Sequence, residues 1–289
     1  MDARYFFNSH QFLHLQGEPK ILEISKGISS TRFAWYKHNG EGFSPLKAPF
    51  GSIEITGPYS NSLIHELLSD LTGQLQKEKI SSLTITMPPD GYDFETGFLI
   101  AKALQNHGFH LSYQDLNFHL EVNSEFKKHL HRSERWKLNK SIRAGYEIQK
   151  VDKPDWDITF NLLNESRERK GFRLSMDQKS LEETFLKFPD RYQLFAVLKE
   201  KEIVAIGITL KINKEILYVF YTADLLNHRK LSPVVLLHSG IYQYCQAERI
   251  QLLDLGTSSL KGLVNSGVAN FKRNLGGIAS LKNTFIKRF

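Results

Sequence analysis

Residues 250–277 read IQLLDLGTSSLKGLVNSGVANFKRNLGG, and the rest of the chain is read outward from them. Leu252-Leu253-Asp254-Leu255 is a brief apolar run closed by a turn at Gly256, the pattern of a buried strand with Asp254 near its end. Gly256, Thr257, Ser258, Ser259 and Gly262 then form a small polar segment. Its glycines and hydroxyls suit a loop that wraps a polar ligand, so Gly256, Thr257, Ser258 and Asn265 are candidate substrate contacts. Asn265, Ser266 or Asn270 caps a short helix carrying Phe271 and Lys272, and Gly276-Gly277 ends the segment in a turn.

With 289 residues and 41% apolar content, the chain has material for one large or two ordinary cores. No run approaches the roughly 18 apolar residues of a membrane span, and MDARYFFNSHQ lacks the basic start and apolar core of a signal peptide. A cytoplasmic protein without a transmembrane segment is the expectation. Its single cysteine, Cys245, falls within a predicted helix, which excludes a disulfide framework and favours a role as apolar filler over nucleophile. Eleven histidines show no HExxH spacing, and His129 and His131 would face different ways on a helix, so no metal site is expected. No GxSxG, P-loop or Rossmann fingerprint occurs.

The formal net charge is +7, and its distribution carries more information than its size. From Leu255 to Phe289 there is no acidic residue, against Lys261, Lys272, Arg273, Lys282, Lys287 and Arg288. A second basic block runs through Lys127, Lys128, Arg132, Arg135, Lys137, Lys140 and Arg143. Such one-signed surfaces favour anionic partners: a nucleotide or coenzyme, tRNA, or an anionic membrane face.

In order, strands are expected at 11–15, 21–25, 32–37 and 53–56, with a hairpin signal at Asn39-Gly40. A helix over 61–79 buries Leu63, Ile64, Leu67, Leu68, Leu71 and Leu75. Strand 82–87, helix 94–106 and strand 109–122 complete a first α+β module near Asn123. A basic helical segment over 124–144 has Phe126, Leu130, Trp136, Leu138 and Ile142 as its apolar residues, and strand 146–151 follows. Helices at 155–169 and 178–188 are joined through Lys170-Gly171-Phe172. Strands at 192–198, 203–211 and 216–222 come next, then a helix from Ser232-Pro233 to about residue 248, with Ser as cap and Pro at the first helical position. Its predicted buried stripe is Val234, Leu237, Ile241, Tyr244 and Cys245.

The ordered set DLG (254–256), FK (271–272) and GG (276–277) resembles the terminal signature of the Fem family of aminoacyl and acyl transferases, the methicillin-resistance-factor type, within the GNAT superfamily. Ala48-Pro49-Phe50-Gly51 and RWKLNKSIRAGYEIQ (135–149) add to the resemblance. It implies an α+β fold of two tandem GNAT-like domains with mixed, largely antiparallel sheets flanked by helices. These would be 1–123, joined by 279–289, and 124–278.

The implied activity is N-acyl transfer from acyl-CoA or aminoacyl-tRNA, used as co-substrate with no tightly bound cofactor, to an amine of a cell-wall precursor or peptide. In GNAT folds the donor's pyrophosphate meets the start of the helix after the central strands, which here is His228, Arg229, Lys230, Ser232 and Val234. The usual glycine-bearing cradle is missing there. The resemblance maps the lysine of the FK pair onto Lys272, where a cation would hold a phosphate or neutralise charge on the acyl oxygen. Asp254 would receive or orient the amine, and Tyr221, or its neighbour Tyr218, would serve as an acid. Against these roles stand a surface charge at Lys272, a turn-capping Asp254 and core packing for the tyrosines. The competing class is a non-catalytic basic module that binds nucleic acid or an anionic surface. The sequence does not specify the oligomeric state.

Overall fold

The computed structural model describes residues 3–169, 171 and 173–289. The connection expected at 170–172 therefore includes two residues, Lys170 and Phe172, that lie outside the described residues. The chain divides into two compact units. The first comprises Met1–Asn117, Thr257–Asn265 and Ala279–Phe289, and the second comprises Phe118–Gly256 and Ser266–Ile278.

The first unit begins with α1 (His10–Gln16), where a strand was expected. The Leu-His-Leu alternation at 13–15 imitates a strand period, but Ser9 caps a helix by accepting from the Phe12 amide at 3.4 Å. Phe12, Leu13 and Gln16 then fall on one buried face while Leu15 is exposed. Strands β1 (Lys20–Lys26), β2 (Ser29–His38), β3 (Glu41–Ser44) and β4 (Glu54–Thr56) follow. β3, the returning arm of the Asn39-Gly40 hairpin, was not anticipated; Asn39 and Gly40 both take positive φ, as a two-residue hairpin turn requires. Helix α2 (Asn61–Lys77) buries the six predicted aliphatic residues. β5 (Ser82–Thr86), α3 (Phe94–Asn106) and β6 (His110–Glu121) come next, α3 being capped by Asp93.

The second unit takes in the end of β6 and runs through α4 (Phe126–His129), α5 (Arg132–Arg143), β7 (Tyr146–Val151), α6 (Trp156–Glu168) and α7 (Gln178–Lys187). The single basic helix expected over 124–144 is thus two helices, because Leu130 is extended. Trp136 and Ile142 of α5, expected on an apolar face, are exposed at 62% and 48%. The Lys140 ammonium lies 5.0 Å from the Trp136 ring centroid, and its charge keeps that face polar. β8 (Tyr192–Lys199), β9 (Glu202–Lys211) and β10 (Ile216–Asp224) form the predicted meander, followed by α8 (Pro233–Ala247) and β11 (Leu252–Thr257). On α8 the buried stripe is Val235, Leu237, His238, Ile241, Tyr242 and Cys245; Val234 and Tyr244 are only half-buried.

The polar loop after Gly256 folds as a small hairpin of the first unit, β12 (Ser259–Leu260) and β13 (Leu263–Val264). Its turn is Lys261-Gly262, both at positive φ. α9 (Ser266–Asn274) returns to the second unit, with Asn270 in its interior rather than at its cap. β14 (Ile278–Arg288) lies against β5, with Thr284 opposite Thr86 and Arg288 opposite Ser82.

Within the first unit the strand order is β1-β2-β3-β5-β14-β6, with β4 also on β2; within the second it is β11-β10-β9-β8-β7. Both sheets are mixed and mostly antiparallel. β3 pairs parallel with β5, and β10 with β11. Among the described residues no helix is long and apolar enough to cross a membrane.

Candidate active site

The parallel pairing of β10 and β11 covers Ile216 opposite Leu252, Leu217 opposite Leu253 and Tyr218 opposite Asp254. There it stops, although β10 continues to Asp224 and carries a bulge between Val219 and Tyr221 where it meets β9. Asp254 is 2% exposed at this point. Its Oδ1 accepts the Gly256 amide at 2.8 Å, and the Gly256 carbonyl accepts from Lys272 Nζ at 2.8 Å. α9 brings in the lysine from 16 residues downstream. Gly276 permits the chain to leave that helix: it sits at φ 89°, and a Cβ there would come within 2.4 Å of the His129 carbonyl oxygen.

The electrostatics follow from burial. Lys272 is brought down from 10.5 to about 8, chiefly by desolvation and further by the Arg167 charge, while Asp254 opposes the shift. The Tyr218 hydroxyl is pushed well up by burial, with Asp254 and Tyr221 adding to it, so it stays protonated. His238 on α8 falls from 6.5 to about 4 through burial, the Lys272 charge contributing. Its Nδ1 lies 2.8 Å from the Val234 carbonyl oxygen, which can only accept, so Nδ1 carries the proton. The His238 ring meets Phe271 edge to face at 5.7 Å. His119 on β6 is buried near Asp254 and held neutral by desolvation.

The second unit therefore gathers Lys272, Asp254 and Gly256, and surrounds them with Tyr218, His238 and His119. Sequence reading passed over both histidines, and the signals that would have found them are tertiary: a strand register and a helix face. Tyr221 is buried, with its hydroxyl on Ser175 Oγ and the Arg167 guanidinium 5.3 Å from its ring centroid. Thr257, Ser258 and Asn265 fall in the first unit. There the Ser258 amide donates to Leu116 O at 2.6 Å, and its carbonyl accepts the Asn265 amide at 2.8 Å. Asp115 holds the hairpin by accepting from Ser259 Oγ at 2.6 Å and the Gly262 amide at 3.0 Å.

The expected phosphate loop is a 3₁₀ turn over Leu226–Leu231, and the side chains of Arg229 and His228 are engaged within the protein. Arg229 makes a two-pronged contact with buried Asp224, at 2.7 and 3.1 Å. His228 Nδ1 lies 2.6 Å from the Tyr146 hydroxyl, and its Nε2 is 3.3 Å from Glu202. Lys230 is exposed. Ser232 occupies the position before Pro233 at φ 53° and makes no side-chain cap, contrary to expectation. Val234 contributes its carbonyl to His238. Among the described residues no group of three or more His, Cys, Asp or Glu side chains is arranged to hold a metal ion.

A mixed sheet whose parallel strands β10 and β11 part beside a half-buried lysine is the frame of an acyl-transfer fold. The acetyltransferase (GNAT) domain model matches residues 126–273, just over half of the chain. The chain belongs to that family. No curated protein sequence matches it significantly. Among solved structures it is similar to FemX, at 14% identity and a TM-score of 0.75, over 99% of this chain and 93% of that one. It is also similar to the C-terminal domain of a putative lysylphosphatidylglycerol synthetase from Agrobacterium fabrum, at 11% identity and a TM-score of 0.63, over 96% and 86%. A tandem GNAT protein from the clavulanic acid biosynthesis pathway matches at 12% identity and a TM-score of 0.55, over 94% and 84%. The FemX and tandem GNAT likenesses extend the GNAT reading to a two-domain, Fem-like fold.

Proposed function

We propose that the chain is an N-acyltransferase in which an amine attacks the acyl carbon of a bound thioester or ester directly. The donor is an acyl-CoA or an aminoacyl-tRNA, and the acceptor an amine such as that of a cell-wall precursor or peptide. The carbon–nitrogen bond forms as the bond to the thiolate or ribose oxygen breaks; the leaving group takes its proton from the Tyr218 hydroxyl, which regains one through solvent from the proton the amine loses. The observation that carries this reading is the half-buried Lys272, pKa about 8, bonded to the Gly256 carbonyl beside Asp254 where β10 and β11 cease to pair.

A protonated Lys272 would stabilise negative charge on the acyl oxygen, Asp254 would orient the amine, and the Tyr218 hydroxyl would serve as donor to the leaving group. Tyr221 lies three residues further along β10, past its bulge. A covalent acyl-enzyme is disfavoured because Cys245 is fully buried in α8 and burial pushes its thiol far up. At the loop, Lys230 is the cation best able to meet donor phosphates, since Arg229 and His228 already have partners. A purely binding role would need the exposed basic face of α5 but would give the desolvated lysine no task. Mass spectrometry of products formed from a panel of acyl-CoA and aminoacyl-tRNA donors with amine acceptors tests the proposal. An amide product supports it, and no product from any donor class counts against it.

A further inference from the structure

The first unit contains a cavity of about 30 Å³ that the acyl-transfer reading does not use. It is bounded by Arg4 and Tyr5, by residues 52–55, and by the stretch from Met87 into the first turns of α3. Ser52 lines it and is 3% exposed, yet its hydroxyl has no partner among the described residues. A buried hydroxyl left unpaired loses its bonds to water without replacing them. The residue also sits at φ 90°, a conformation costly for a non-glycine residue and kept only where the surroundings impose it.

Charge on the lining is unbalanced. Glu54 is saturated, accepting from Asn8 Nδ2 at 2.5 Å and the Arg4 amide at 2.8 Å, with buried Arg32 nearby. The Arg4 guanidinium, the one cation among the lining residues, is held by Asp93 at 2.6 Å. Asp90 has only a long contact, 3.4 Å from Asn283 Nδ2, and burial raises its pKa. Among the described residues the site thus offers a half-buried carboxylate with no cation beside it and an unused buried hydroxyl, while Ile53, Met87 and Ile100 supply apolar wall.

Both polar groups accept hydrogen bonds, and the carboxylate calls for positive charge. One water needs roughly 10–15 Å³ of such space, so a cavity of about 30 Å³ suits an ammonium and its adjoining methylene better than a trimethylammonium. We propose that the first unit binds the primary ammonium head of a small amine, with Asp90 and Ser52 accepting its N–H donors. The site consists of the first unit's own residues, so this inference does not rest on the acyl-transfer reading and can fail separately from it.

The test is thermal denaturation of the full chain in methylammonium chloride and, at equal ionic strength, tetramethylammonium chloride. A saturable rise in Tm with methylammonium alone is expected. S52A should weaken the apparent affinity about tenfold, the scale of one lost hydrogen bond, and D90N should abolish the response. Because Asp90 is desolvated with only the long Asn283 contact to offset it, D90N should fold with a ligand-free Tm at or above that of the parent. Equal responses to the two salts, or a full methylammonium response in D90N, would overturn the proposal. Should D90N not fold, unchanged affinity in S52A would do the same.

Discussion

Lys272 donates from Nζ to the carbonyl oxygen of Gly256 at 2.8 Å, tying α9 to the end of β11. The contact places a cation beside the backbone turn that Asp254 also holds. It depends on Gly256 remaining glycine: its φ is 78°, and a Cβ there would lie 3.2 Å from the Tyr218 ring and 3.9 Å from Lys272 Nζ.

Substituting Gly256→Ala should therefore destabilise the protein by about 1–2 kcal/mol, from positive-φ strain and displacement of Tyr218. Urea denaturation measures that loss. Turnover should fall by more than the lost folded fraction explains, because the Lys272 contact moves as well.

The depressed pKa of Lys272 gives a pH dependence with a definite sign. A cationic role is present below about pH 8 and is lost as pH rises through that value, so kcat should decline on the alkaline side with an apparent pKa near 8. Stability runs the other way. The unfolded chain holds this proton up to about 10.5 and the folded chain does not, so this group makes folding more favourable as pH climbs from about 8 to 10.5. Lys272→Arg, which keeps its proton, should flatten the alkaline limb of the rate profile.

His238 governs the acid side. Its folded value is about 4 against 6.5 unfolded, so the unfolded chain binds the extra proton between them. The contribution is present above pH 6.5 and is lost as pH falls toward 4. In His238→Gln the loss of Tm over that window should be smaller than in the parent, as read by calorimetry across pH.

Much of this site is visible in the sequence, and the remainder is missing for physical reasons. The strand around Asp254, the helix bearing Phe271 and Lys272, and the closing glycines are local patterns. Equally local are α2, α3 and the 192–224 meander, whose apolar spacings match the observed elements. What sets the site's chemistry is pairing across the chain: Tyr218 opposite Asp254, and His238 turned inward on α8 near Lys272. No window of sequence records those. Two local misreadings are instructive as well. The short alternation at 13–15 lost to a Ser9 cap, and Lys261-Gly262, read as loop, closes a hairpin.

The turn after β10 separates two effects that its composition joins. Arg229→Ala removes a two-pronged partner from Asp224, a buried carboxylate that would keep, among the described residues, the Arg169 ion pair at 3.6 Å. A stability loss of about 1–3 kcal/mol is expected. Lys230→Ala touches an exposed side chain and should change stability by less than about 0.5 kcal/mol. Weakened donor affinity in Lys230→Ala at unchanged Tm would assign this turn to donor binding, and unchanged affinity would remove it.

Cys245→Ala should retain activity, since the thiol is buried and held protonated. A trapped acyl-enzyme in intact-mass spectra would contradict direct transfer.

The central claim is that Lys272 acts in acyl transfer from its place against Gly256. Its most direct measurement is single-turnover amide formation by Lys272→Ala, with Tm recorded on the same sample. Relief of a buried charge and loss of one hydrogen bond oppose each other in stability, so Tm should change little. The rate should fall on the order of 100-fold or more, the scale seen when a group that stabilises an oxyanion is removed. Full turnover by a folded Lys272→Ala protein would contradict the account.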